Sequence, residues 1–546
     1  MIRGDQCWGD TIKNGLQTVV FNNKVHSVLP GMRETVYESL TEQAKRWPNK
    51  LAIVDTNERE YTYLQLLQLT DRFSSYLWGK HGINRGKKVG LLLYNSVEYA
   101  VAFLACQRLG AVVVPFPTKY RESEIDALLD KSDCDLVIAD GTFSAWMEKY
   151  EISELRILIS PSKEIAGGYA FARYESMDEI KEPSRLIESN AIIMFTSGTT
   201  SHSKGVLIKN YNIQHALKAY EELFQLNEDD FTILAIPVYN VTGLVATLSL
   251  FLSIGASIRL HKFFDAKQLI NEMKEHHISF FHASPTIFQL MLAEREETPV
   301  LPDLKILACG SGNMPAEVIK ELKDWMPQMA FRTVYGLSET TSPATIFPRD
   351  AATSPYIGSS GLPIPGVSIK IMGENGREQG NGVTGEIWIA GPNVIEAYYR
   401  QDTNLITNNG WLMTGDIGYV NEEGYLYVID RKKDMINRGG EKVYCFDVEN
   451  ALHEIKGVQE AAVVGVKHQV YGESPVAFIK LKPGWSYTEA QFKEQLKPKL
   501  ARFKIPEAFN LVKEIYKTPN GKIDKKRIRE LYEAERSRNE SYFEKG

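Results

Sequence analysis

The chain has 546 residues, 43% apolar and 24% charged, with a formal net charge of −6. That length exceeds what one hydrophobic core supports, so two or more domains are expected. The ordinary apolar content fits a globular protein, and the acidic balance argues against nucleic acid as a main partner.

Any anionic ligand must therefore be held by local positive charge. The cysteines, Cys7, Cys106, Cys134, Cys309 and Cys445, are scattered without metal or redox spacing, which fits a reducing compartment and no disulfide frame. Residues 1–30 lack a basic start and a continuous apolar core; the stretch from Leu16 to Phe21 is short and contains Gln17 and Thr18. From Gly243 to Ile258 an apolar run is broken by Thr247, Ser249, Ser253, Gly255 and Ser257. It reads as a buried helix running into a strand, not as a membrane span. A cytoplasmic protein is expected.

Along the chain, residues 30 to 345 alternate helical and strand-like segments. Lys88 to Leu93 reads as a strand, Glu98 to Leu109 as an apolar helix, and Ala111 to Pro115 and Leu136 to Ala139 as further strands. The rhythm recurs from Phe231 to Ala283 and from Leu304 to Tyr335. Such alternation predicts βαβ units in two parallel sheets covered on both faces. From about residue 355 the period becomes two: Val367, Ile369 and Ile371 alternate with polar residues up to Asn375-Gly376, and Ile387 and Ile389 do likewise. Tyr425 to Ile429 follows the turn at Glu423-Gly424, so this region reads as small antiparallel sheet. The charged run Asp430-Arg431-Lys432-Lys433-Asp434 then separates it from an α+β tail. In that tail Val448, Ala451, Leu452 and Ile455 form one helix face, and Ala461 to Val466 and Pro475 to Leu481 read as strands. The predicted organisation is α/β: a large domain over 1–430 and a small mobile α+β domain over 431–546.

Five segments carry candidate chemistry. The strand Ile192-Ile193-Met194-Phe195 opens into Thr196-Ser197-Gly198-Thr199-Thr200-Ser201-His202-Ser203-Lys204-Gly205. A loop so rich in backbone N–H groups, hydroxyls and one ammonium suits a polyphosphate. It is not a Walker loop: Gly198 and Lys204 have the spacing, but Ser203 and Gly205 stand where Gly and Ser/Thr are required. The others are Tyr335-Gly336-Leu337-Ser338-Glu339-Thr340, Thr414-Gly415-Asp416, Arg431 with Arg438-Gly439-Gly440-Glu441, and Thr518-Pro519-Asn520-Gly521-Lys522. His276, His277 and His282 lack a supporting carboxylate or cysteine cluster and read as helix-end or core histidines, not metal ligands.

In this order and spacing the five segments resemble the adenylate-forming enzymes: acyl- and aryl-CoA synthetases, adenylation domains and beetle luciferases. The resemblance runs from about residue 35 to 530. It implies joining of a carboxylate, of a fatty or aryl acid, to the α-phosphate of ATP, then transfer of the acyl group to coenzyme A. It implies that Thr196, Ser197, Gly198, Thr199, Thr200 and Lys204 wrap the phosphates, and that Glu339 binds Mg2+. Thr340 would reach the α-phosphate, Tyr335 with Gly336 would meet adenine, and Asp416 and Arg431 the ribose. Lys522 would neutralise charge developing at the reacting centre. Lys433 matches the hinge, and Gly439 and Gly440 would line the pantetheine tunnel. Tyr239, Asn240, Thr242, Gly310 and Gly312 would shape the acid pocket.

The chain departs from the family pattern at Ser201 and Ser203, where glycine and proline are usual, at Asn240 for histidine, and at Cys445 for proline. Cys445 reads as a buried structural thiol. Two alternatives stay open: loading of the acid onto a carrier-protein thiol, and a non-catalytic nucleotide-binding relative.

Overall fold

A computed structural model describes residues 1–148, 156–160, 180, 183–196, 203–295, 301–312, 314–518 and 522–543. The alternating region forms two sheets. In the first the strands lie in the order Gly205–Lys209, Asn190–Phe195, Val112–Pro115, Lys88–Leu92, Leu136–Asp140 and Arg156–Ser160. All its pairings are parallel except that of Gly205–Lys209 with Asn190–Phe195. The second has nine strands, and six of them run parallel: Ala330–Tyr335, Ile306–Cys309, Phe280–Ala283, Phe231–Leu234, Ser257–Leu260 and Leu51–Val54. These strands are almost continuously apolar because helices cover both faces.

Local signals set the helix ends. Thr62 and Gln65 form a capping box for the helix Tyr63–His81, and Gly82 ends it in the left-handed conformation. Ser96 caps Val97–Leu109, a helix buried on nearly every side, and Gly110 ends it in the same way. The stretch after Gly243 is helical as expected, but Leu244–Ser249 is wound as a π-helix before Leu250–Ile254 and the strand Ser257–Leu260.

The antiparallel region is a five-stranded sheet in the order Ile2–Arg3, Ser368–Met372, Gly385–Ala390, Leu412–Val420 and Leu426–Arg431. The chain's first strand thus joins a sheet made more than 360 residues later. Beyond it, Ile436–Arg438, Glu441–Val443, Val458–His468, Gly472–Leu481 and Ala508–Leu511 form another sheet, flanked by the helices Cys445–His453, Glu489–Leu496 and Lys525–Phe543. The main core runs from Leu29 to Leu426, and a separate one from Ile436 to Phe509. The charged run lies between them, yet it is not a solvated face throughout. Asp430 and Arg431 complete a strand, and Asp430 is fully buried. No helix among the described residues is long and apolar enough to cross a membrane.

Candidate active site

The loop of small and hydroxylic residues is the connection of an antiparallel hairpin in which Phe195 pairs with Gly205. Ser197, Gly198, Thr199, Thr200 and Ser201 lie outside the described residues, but the base of the loop is well defined. The Thr196 amide donates to the Lys204 carbonyl at 3.0 Å, and the Ser203 hydroxyl donates to the Thr196 carbonyl at 2.5 Å. Ser203 thus supplies a clamp that proline, lacking a hydroxyl, does not provide. Gly205 lies in a tight space: a Cβ there would meet Tyr399 and Ile193 at 3.1 Å.

Tyr335 ends its parallel strand, where ligands of such sheets gather. Its hydroxyl donates to Asp416 Oδ2 at 2.8 Å, so aromatic face and carboxylate are fixed together. Asp416 is cross-strand partner to Arg431, whose Nε lies 3.4 Å from Asp416 Oδ1. Burial raises the Asp416 pKa, while Arg431, Tyr335 and Lys522 pull it back. Next to Tyr335, Gly336 packs closely in this turn: a Cβ there would lie 3.0 Å from Thr340 Oγ1 and 3.2 Å from the Ala344 amide nitrogen. The Thr340 hydroxyl closes this turn, accepting from the Leu337 amide at 2.8 Å. Glu339 Oε1 accepts from the Tyr398 hydroxyl at 3.0 Å, and Lys204 Nζ stands over the Tyr398 ring at 5.3 Å. Tyr398 thereby links Lys204, at the base of the hydroxyl-rich loop, to the candidate metal ligand. Sequence reasoning missed it; the aromatic pair Tyr398-Tyr399 beside Arg400 was the available signal. No cluster of three or more metal-binding side chains occurs among the described residues. Glu339 is nonetheless suited to Mg2+: among the described residues only one of its oxygens is engaged, and Mg2+ commonly uses one carboxylate plus phosphates.

Lys522 reaches the same place from the far end of the chain. Its turn is closed by the Thr518 amide donating to the Lys522 carbonyl at 2.7 Å, although Pro519, Asn520 and Gly521 lie outside the described residues. The side chain is reachable by solvent, but the protein around it strips away much of its water. This desolvation, aided by Arg431 and Lys433, lowers its pKa to about 8; Asp416 and Glu339 act in the opposite direction. Those four neighbours are the nucleotide-site and hinge residues expected from sequence. Gly439 and Gly440 are placed elsewhere. They form a positive-φ hairpin turn in which the Gly439 amide donates to the Tyr471 carbonyl at 2.8 Å.

The acid-pocket candidates cluster on the second sheet. Gly243 is forced by close approach, since a Cβ would lie 2.4 Å from the Pro237 carbonyl oxygen. The loop holding Tyr239, Asn240 and Thr242 is pinned by Asn95, which donates to the Leu234, Ile236 and His261 carbonyls and accepts from the Val238 amide. Thr242 Oγ1 lies 3.4 Å from Ser311 Oγ, beside Gly310 and Gly312. Gly310 leaves open the space next to His282, whose Nε2 is 3.3 Å from where a Cβ would stand. His282 is buried, as a core histidine should be, and burial lowers its pKa to about 3.

Comparison with known proteins agrees with this geometry. The family described as AMP-binding enzyme matches residues 40–399, and the AMP-binding enzyme C-terminal domain matches residues 447–522. The chain is 30% identical to an indoleacetate–CoA ligase of Aromatoleum aromaticum over 89% of its length and 95% of the relative's. It is 28% identical to an oxalate–CoA ligase of Arabidopsis thaliana, covering 90% of this chain and 98% of that one. The crystal structure of ATP-bound MatB from Rhodopseudomonas palustris superposes with a TM-score of 0.84 at 25% identity, covering 92% of this chain and 99% of that one. An o-succinylbenzoate CoA synthetase from Bacillus subtilis, in complex with its acyl-adenylate intermediate, gives 0.79 at 26% identity, covering 90% and 97%. The chain belongs to the AMP-binding, adenylate-forming enzyme family.

Proposed function

We propose that this protein is an ATP-dependent acid–CoA ligase. The carboxylate of the acid attacks the α-phosphorus of ATP, pyrophosphate leaves, and an acyl-adenylate forms; the thiolate of coenzyme A then attacks the acyl carbonyl and AMP leaves. Both partners of the first step are anions, so charge must be neutralised at the reacting centre. The observation that carries the reading is the arrival of Lys522 among Glu339, Asp416 and Arg431. Lys204 and the hydroxyls of Thr196, Ser197, Thr199 and Thr200 would hold the outer phosphates, and Glu339 would hold Mg2+, which would supply positive charge to offset theirs. Tyr335 packs on adenine, while Asp416 and Arg431 bind the ribose. Thr340, buried in the turn after Gly336, faces the α-phosphate.

The separation of the two cores supports domains of 1–430 and 431–546 with a hinge at Lys433. Rotation there would withdraw Lys522 and bring Gly439 and Gly440 to the acyl group, a gate of a known kind. The acid is compact, aryl or short dicarboxylic, because the relatives named above act on such acids; nothing among them favours a long fatty chain. Tyr239, Asn240, Thr242, Gly310 and Gly312 contour its pocket.

The test is acid-dependent exchange of labelled pyrophosphate into ATP over a panel of compact acids, followed by addition of coenzyme A. Exchange with at least one acid, and CoA thioester formed from it, is expected. Tight ATP binding with no exchange for any acid would favour the non-catalytic alternative. Exchange followed by transfer only to a carrier-protein thiol would favour the other.

A further inference from the structure

Asp430 directly precedes Arg431, the residue that ends the last strand of the antiparallel sheet, on the near side of the proposed hinge. It is fully buried, although a carboxylate is costly to bury without partners. Its partner across the hinge is the helix Cys445–His453. Tyr444, the residue at that helix's N-cap, makes no side-chain capping bond. The vacancy is filled from the other domain: the Cys445 amide, first in the helix, donates to Asp430 Oδ2, while Oδ1 accepts from the Arg431 amide at 2.7 Å. A carboxylate at a helix N-terminus meets both an unpaired N–H and the positive end of the helix dipole.

The same pocket holds Lys525, three residues beyond Lys522. Its ammonium forms an ion pair with Glu449 at 2.8 Å and stands over the Phe446 ring at 4.9 Å; both neighbours belong to the helix that Asp430 caps. Glu449 is anchored further by the Val463 amide at 2.8 Å. Burial by itself lowers the Lys525 pKa, but Glu449, Cys445 and Asp430 more than reverse it. Lys525 thus supplies one buried positive charge to two buried carboxylates on opposite sides of the hinge.

We propose that Asp430 and Lys525 are positioning residues for adenylation: Asp430 caps the helix of the other domain, and Lys525 ties that cap to the turn carrying Lys522. The pair holds Lys522 in the cleft during the first half-reaction and must part for the domain to rotate. The inference rests on the ligase reading and on the hinge at Lys433.

The test compares Asp430→Ala, Asp430→Asn and Lys525→Met with the parent protein in both half-reactions. Pyrophosphate exchange should fall on the order of tenfold for Asp430→Ala and Lys525→Met, the scale of a lost helix cap. Thioester formation from supplied acyl-adenylate and coenzyme A should be retained or increased. Asp430→Asn keeps an oxygen acceptor for the Cys445 amide and should fall between. A second readout needs no activity: trypsin cleavage within Arg431-Lys432-Lys433 should quicken in the two stronger variants. Equal loss in both half-reactions, or cleavage at the parent rate, overturns the proposal. A parent protein inactive with every acid would defeat the ligase reading instead, and the cleavage rates would then decide the positioning role alone.

Discussion

Lys522 concentrates the chemistry at the scale of one residue. Below its lowered pKa of about 8 the side chain is an ammonium and can neutralise charge on the α-phosphate; above it the charge is lost. Adenylation should therefore decline as pH rises through about 8, well before an ordinary lysine would titrate. Pyrophosphate exchange followed from pH 6 to pH 10 reads this directly, and a flat profile to pH 10 would remove the ammonium from the mechanism. Lys522→Ala should lower exchange by about 10²–10³-fold, as for loss of one preorganised electrostatic group. It should largely spare thioester formation from supplied acyl-adenylate. The lysine was legible in sequence through its Pro-Asn-Gly turn and its place after four other segments. Its neighbours were less so. Tyr398 and Asp430 sit in segments that look like ordinary surface, and only the fold brings one to Glu339 and the other to Cys445.

Among the elements, those built from local contacts could be read directly and those built from distant pairing could not. The strand Asn190–Phe195, its hydroxylic loop and the strand ends at Cys309 and Tyr335 follow from runs of apolar residues that stop abruptly. By contrast Leu51–Val54 joins the second sheet beside Ser257–Leu260, some 200 residues away, and nothing in its own four residues names that partner. The turn at Pro237–Gly243 lies between these extremes. Its glycine is visible, but the reason for it is tertiary. Gly243 has φ −68, which any residue adopts, so the requirement is space alone: a Cβ would collide with the Pro237 carbonyl. Gly243→Ala must push the loop bearing Tyr239, Asn240 and Thr242 outward at about 1–3 kcal/mol, the usual cost of overpacking. The acid KM should rise while the ATP KM stays near the parent value, alongside a lower Tm. An equal rise in both would show that the loop does not border the acid.

Across the whole molecule, histidines stripped of water set the response to acid. His215 and His282 are held near pKa 3 and His453 near 4, in each case chiefly because burial disfavours the charged ring. Unfolded histidines titrate near about 6.5. Between these values the unfolded chain binds more protons than the folded one, so stability present above pH 6.5 is lost as pH falls. Asp430 works in the opposite sense. Burial raises its pKa to about 6, so the folded state gains from protonation as pH drops from there toward the ordinary carboxylate range. Asp416, also raised by burial, acts in the same sense as Asp430, but two aspartates stand against three large histidine shifts, and the histidines win. Each excess proton is worth about 1.4 kcal/mol per pH unit. Thermal unfolding followed from pH 7 down to pH 4 should show Tm falling steadily below about 6.5. His282→Leu, which removes one of the three rings, should make that decline shallower even if Tm at pH 7 also shifts. A Tm unchanged down to pH 4 would mean that the three rings are not held neutral in the fold.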